Sequence, residues 1–378
     1  MTFAIIGNPE NRRVAMFQAA LAAQGLPAAR VIAWRALAKP GAPARLLGEL
    51  PDEAILRIDS MGEDDEVERA LLRRGEAAAR AEGVPAIGAR ALARIPREVG
   101  RILYPRQAHL GFLAVLAEID AASRASWRVL QPAAAIAELF DKRVTSRKWR
   151  GLGVPVPEAL DDVREPDELR ARMREAGWRS VFVKVASGSS ASCLAVFVLR
   201  AGGEHAITTV EDTGAARYNT RRLQRVSGAR LDRLLRFLLG EGAQVERAVP
   251  KAQQGRRYFD LRVLTIDGEP AFTVVRTSPH PITNLHLGGR RGDLEALRAS
   301  VPPEAWEAAM ASCRTVQRAS GAFHVGVDLM FEPGLRAHRV LEGNAFGDLL
   351  PNLSRDGLDV YGWQIRRILD GPRAPGAG

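Results

Sequence analysis

Cysteine, lysine and aromatic residues are all scarce in this chain, and each scarcity narrows what it can be. Cys193 and Cys313 are too few for a disulfide framework and lack metal-ligand spacing, so a reducing, cytoplasmic setting is expected. No apolar run reaches the roughly 18–20 residues that cross a bilayer, which argues against a membrane partner. The opening MTFAIIGNPENRR puts a very short apolar stretch ahead of its charges, unlike a signal peptide. The net charge is +10 and the pI about 10.3. Yet the basic residues are dispersed among 44 acids and aromatics are 6% of the chain, so nucleic acid is not the expected partner. Three signatures are also missing: G-x-x-x-x-G-K-[ST], a G-x-G-x-x-G after the first strand, and G-x-S-x-G.

Lysine is the most informative scarcity. Lys39, Lys142, Lys148, Lys184 and Lys251 are the only lysines among 54 basic residues. A retained lysine therefore carries weight, because a guanidinium cannot replace a compact ammonium in a tight phosphate site.

The 378 residues suffice for two or three domains. FAIIG (3–7), ARVIAW (29–34) and AILRID (54–59) alternate with helical stretches near 11–24, 63–82 and 108–123, predicting a parallel α/β unit. One helix is predicted from Pro132 to Arg150, ended by Gly151 and Gly153, and a charged helix at about 166–177. RSVFVKVA (179–186) and CLAVFVLR (193–200) read as strands around the loop SGSSAS (187–192). Residues 203–230 read as loop, with RYNTRRLQR a solvated basic helix face; its charge would also suit an acidic peptide or amino acid. Antiparallel sheet and a helix near 303–320 follow. The expected domains are 1–125, 126–245 and 246–370, with a disordered tail at 371–378.

Lys184 directly precedes a loop of small residues, whose backbone N–H groups can approach phosphate oxygens; an ordinary hairpin loop has the same pattern. In YFDLRVLTIDGEPAFTVVR (258–276), a three-residue loop would pair Asp260 with Arg276 and bring Arg276 beside Arg262, where the two suit a phosphoryl group. Alternation in FHVGVDLMFE places Asp328 with Gly326 and Met330, and alternation in RVLEGN places Glu342 with Asn344. If these strands pair, three oxygen ligands converge on a site for Mg²⁺. ITNLHLGGRRGD adds the donors Asn284 and His286.

FDKRVTSRKWRGLGVPVP, VFVKVASGSSAS, QVERAV, FDLRVLTIDGE, VVR, ITNLHLGG, GVDLMF and LEGN resemble, in that order, the ATP-grasp superfamily over about residues 136–365. The closest flavour is that of glutathione synthetase and the ligases that add glutamate to peptides. The resemblance implies an α/β (α+β) ATP-grasp fold behind an N-terminal Rossmann-like pre-ATP-grasp domain. It implies that Lys142 and Lys184 contact ATP phosphates, that Ser187, Gly188, Ser189 and Ser190 close over them, and that Glu246 lies by adenine and ribose. Arg262, Arg276 and Asn284 would serve catalysis, and Asp328, Glu342 and Asn344 would hold two Mg²⁺ ions, with Mn²⁺ as the alternative metal.

The implied reaction joins a small-molecule or peptide carboxylate to an amine through an acyl phosphate, and a homodimer is the implied assembly. A phosphotransferase and an inactive nucleotide-binding protein are the competing readings. The sequence departs from the family in a glycine-poor phosphate loop and in LEGNAFGD, which replaces E-x-N-x-x-P-G and adds Asp348. IIGNPENRR, Arg106 and His109 are further candidates for the acceptor side.

Overall fold

A computed structural model of the chain describes residues 2–188, 192–283, 288–347 and 350–371. Ser189, Ser190, Asn284, His286, Asp348 and residues 372–378, all singled out by sequence, lie outside the described residues.

The first sheet is parallel, in the order β2-β1-β3-β4, from β1 (Phe3–Ile6), β2 (Arg30–Ile32), β3 (Ile55–Ile58) and β4 (Arg128–Val129). β1 and β3 are buried along their whole length, as strands covered on both faces require. Helices Asp65–Glu82 and Pro105–Ala122 pack so closely that a Cβ on Gly75 would sit 1.9 Å from the Gln107 carbonyl oxygen.

A second sheet runs β5-β10-β6-β7-β8-β9, from β5 (Ala159–Leu160), β6 (Ser180–Val185), β7 (Leu194–Arg200), β8 (Gly203–Asp212), β9 (Arg217–Val226) and β10 (Ala243–Arg247). The stretch expected as a loop with a basic helix is thus a pair of ten-residue strands, β8 and β9. Arg217–Val226 gains cross-strand hydrogen bonds that outweigh its lack of a strand-like apolar alternation. The single helix expected over 132–150 is two, Ala133–Phe140 and Lys142–Gly151. Asp141 stands between them with extended backbone, and its carboxylate accepts the Arg143 N–H as an N-cap.

The third sheet runs β14-β13-β12-β15-β16, with β11 also on β12. Its strands are β11 (Gln253–Gln254), β12 (Arg257–Ile266), β13 (Glu269–Ser278), β14 (Arg290–Arg291), β15 (His324–Phe331) and β16 (His338–Asn344). Asp260 does pair with Arg276, as expected, but by a different device. The β12–β13 turn is the two residues Asp267 and Gly268, both at positive φ, and a bulge at Ala271 restores the register. A second bulge, at Leu341, sets Glu342 opposite Asp328. The C-terminal helix Val360–Leu369 returns to the first helix, where Tyr361 meets the Phe17 ring edge-on and Gln364 accepts from Arg57 at 2.6 Å. Among the described residues no helix is long and apolar enough to cross a membrane.

Candidate active site

The second and third sheets face each other across an open cleft. On β6 the odd residues Val181, Val183 and Val185 pack under helices, so Phe182 and Lys184 point into the cleft. β10 pairs Glu246 with Phe182, and the Lys184 ammonium bonds the Glu246 carboxylate while lying 5.1 Å over the Phe182 ring. Lys142 opens its helix and donates to the carbonyl oxygens of Gly188 at 2.5 Å and Ala186 at 3.4 Å. Its ammonium is also 3.4 Å from Glu342. Gly188 lines the cleft, whereas Ser187 does not.

Opposite, the register aligns Arg262, Asp328 and Glu342 across β12, β15 and β16. Asp328 accepts from Arg262 Nε at 2.5 Å and from Arg276 Nη2 at 3.1 Å. Arg276 Nε donates to Asp260 at 2.7 Å. Asn344, two residues beyond Glu342 on the same face, donates its amide nitrogen to Gly326 O.

Burial pushes the Asp328 carboxyl up against the pull of Arg262 and Arg276. Burial acts upward on Glu342 too, but Lys142, Lys184 and Arg262 override it and hold the carboxyl below its ordinary value. Leaving aside Arg247, which is paired with Glu158, five cations line the cleft against four carboxylates, so an anionic ligand is favoured.

Of the residues singled out by sequence, the structure brings Lys142, Lys184, Gly188, Glu246, Arg262, Arg276, Asp328, Glu342 and Asn344 to this one cleft. Arg106 and His109 lie elsewhere. Arg106 forms a two-pronged pair with Glu82, and His109 is buried against Phe140 with its pKa lowered to about 4, by burial first and then Arg106. Asn8 and Asn11 serve the first unit itself: Asn8 accepts from Trp34 N and Asn11 caps the first helix.

Two cleft residues, Lys251 and Thr283, were given no place in the site by the sequence reading. The Lys251 ammonium lies 2.8 Å from Thr283 Oγ1 and 3.3 Å from Asp260, and Thr283 donates to Asp260 as well. The scarcity of lysine was the available signal for Lys251, since three of the five lysines converge here. Thr283 carries no such signal.

Among the described residues no three His, Cys, Asp or Glu side chains are grouped to hold a metal. The candidate donors are two carboxylates and one amide oxygen, hard ligands that fit Mg²⁺ completed by water and phosphate. A cation entering here competes with Arg262 and Arg276 for Asp328.

No protein-family model and no curated protein matches this sequence. Solved structures do. The ATP-grasp ligase PsnB complexed with minimal precursor is similar at 16% identity and a TM-score of 0.53, over 98% of this chain and 99% of that one. The macrocyclase MdnC bound with precursor peptide MdnA, from Microcystis aeruginosa MRC, is similar at 13% identity and a TM-score of 0.52, over 98% and 99%. The D-cycloserine synthetase DcsG is similar at 14% identity and a TM-score of 0.54, over 97% and 98%. The chain has the ATP-grasp fold.

Proposed function

We infer that this chain of ATP-grasp fold is an ATP-dependent ligase that joins a carboxylate to an amine, with a peptide supplying at least one of the two groups. The observation that carries the reading is the convergence of Arg262 and Arg276 on Asp328, beside Glu342 and opposite Lys142 and Lys184, in one cleft between two sheets. The peptide part rests on similarity, over nearly the whole length of each chain, to ligases described with precursor peptides.

In the proposed reaction a carboxylate oxygen attacks the γ-phosphorus of ATP, and the bond from that phosphorus to the bridging oxygen of ADP breaks. The amine then attacks the acyl carbon, the bond to phosphate breaks, and the nitrogen loses a proton. Asp328, Glu342 and Asn344 would hold Mg²⁺, which would supply charge neutralisation at the phosphates. Lys142 and Lys184 orient the triphosphate, and Glu246 fixes Lys184. Arg262 and Arg276 stabilise the charge that builds on the transferred group, so positioning and electrostatics replace a covalent nucleophile.

An ADP-release screen of carboxylic acids and amines, peptides included, tests this. A ligase accumulates ADP only when both co-substrates are present; ADP released with one substrate alone indicates phosphotransfer, and ADP binding without any turnover indicates a binding protein. Replacement of Arg262 by Lys should lower kcat by about tenfold or more while ADP affinity changes less. Equal losses in both would contradict the assigned role.

A further inference from the structure

The second sheet is covered by helices on one side only. Val181, Val183, Ala195, Phe197 and Ala206 face the helices Pro166–Glu175 and Gly228–Gly240. Alternation sends the intervening residues to the other side, where the register lines up Glu246, Phe182, Val196, Ile207 and Arg225 across five strands. A neighbouring row holds Ser180, Val198 and His205.

Near Glu246 this face belongs to the nucleotide cleft. Past Phe182 it forms the floor of a second groove, with Val196 and Val198 beneath and Tyr258 and Leu335 on the far wall. The groove shares Phe182, Val249, Lys251 and Pro281 with the cleft, so the two adjoin.

The charge around the groove has one sign. Arg179 and Arg200 line it, exposed, and Arg225 lies on the same sheet face. None of the three has a carboxylate partner among the described residues, and no Asp or Glu among them lines the groove. The pKa of His205 is lowered, by burial first and then by Arg225 and Arg200. An apolar floor left open in water needs an occupant, and unpaired cations at its rim select one with carboxylates.

Resting on the ligase reading above, we propose that this groove docks an acidic, partly apolar segment of the peptide substrate, with apolar side chains on Phe182, Val196 and Val198 and carboxylates on Arg179, Arg200 and Arg225. The segment lies outside the reacting groups and leads the chain past the residues that the two cavities share, toward the cleft.

The test is fluorescence anisotropy with a fluorescein-labelled peptide of alternating Glu and Leu, its Lys-for-Glu counterpart, and an oligothymidine of equal length. The acidic peptide should bind with an affinity that falls as salt rises, and the lysine peptide should not bind. The Arg200→Glu/Arg225→Glu double variant should bind the acidic peptide about tenfold or more weakly. No binding of the acidic peptide, equal binding of both peptides, an unchanged affinity in the double variant, or oligothymidine binding as tight as the acidic peptide each overturns the proposal. ADP titration runs in parallel: unchanged ADP affinity shows that the variant is folded, and failure of the wild type to bind ADP sinks the ligase reading while leaving the groove result readable.

Discussion

Arg276 is bonded to two buried carboxylates at once, Asp260 and Asp328. Replacing it by Met leaves both under-compensated and should cost about 3–5 kcal/mol of stability. Asp260 keeps Lys251 and Thr283 and Asp328 keeps Arg262, but adding Asp260→Asn removes one carboxylate that has lost a partner, so the double variant should lose less than the two single losses combined. Urea unfolding of the four proteins measures this, and strictly additive losses would show that the pair does not interact. Lys251 differs because its ammonium is enclosed and its pKa is lowered by burial first, with Arg276 pushing the same way against Asp260. Lys251→Arg keeps the charge but not the shape, and should destabilise by about 1–3 kcal/mol in the same assay. At this scale the site was largely legible, since charged residues on apolar strands demand partners. What alternation could not show was Asp260 and Lys251 as a buried pair, because their contact joins a loop to a strand.

At the scale of elements, two bulges decide which side chains enter the cleft. With Ala271 paired in regular register after the turn at Asp267-Gly268, Arg276 would lie opposite Phe259 on the wrong face of β13; with Leu341 paired in regular register after Val340, Glu342 would lie opposite Val327 and not Asp328. Neither bulge has a mark in the sequence, as both residues are ordinary apolar ones. Gly268 has φ +79° and only ordinary contacts around the place of a Cβ, so Gly268→Ala tests backbone strain alone. It should cost about 1 kcal/mol, seen as a lower denaturation midpoint with an unchanged slope. Gly75→Ala acts by overlap with backbone instead and should cost about 3 kcal/mol or more, since neither helix can yield without repacking. The basic strand β9 was misread for a related reason: its place in the sheet comes from β8 and not from its own pattern.

Across the whole molecule, Glu241 joins the first unit to the second, accepting the Arg106 N–H at 2.9 Å from the start of helix Pro105–Ala122. Burial raises its pKa to about 7, and burial with Asp65 does the same for Glu68. Both folded values lie above the unfolded carboxylate value, so the folded state holds more protons between about pH 4.5 and 7. Their contribution to stability is complete below that window and disappears as pH rises through 7. Burial lowers the pKa of His109, His324 and His338, which pull the opposite way below about pH 6.5, so the Glu241 contribution is read by difference. Glu241→Gln keeps an acceptor for Arg106 but cannot ionise, so its melting temperature should gain on that of the wild type from pH 5 to pH 8; a difference that stays flat or falls would refute the assignment.

The sequence by itself determined the strand–helix order of the first unit, the run of motifs that resembles ATP-grasp proteins, and most of the charged residues that meet in the cleft. These are local properties, written in periodicity, turn residues and the cost of burying charge. Only the tertiary structure decided the two bulges, the sheet position of Arg217–Val226, the Lys251–Asp260–Thr283 cluster and the cationic groove beside the cleft. Each of these depends on which strand lies next to which, and pairing between distant segments leaves no periodic trace in either partner.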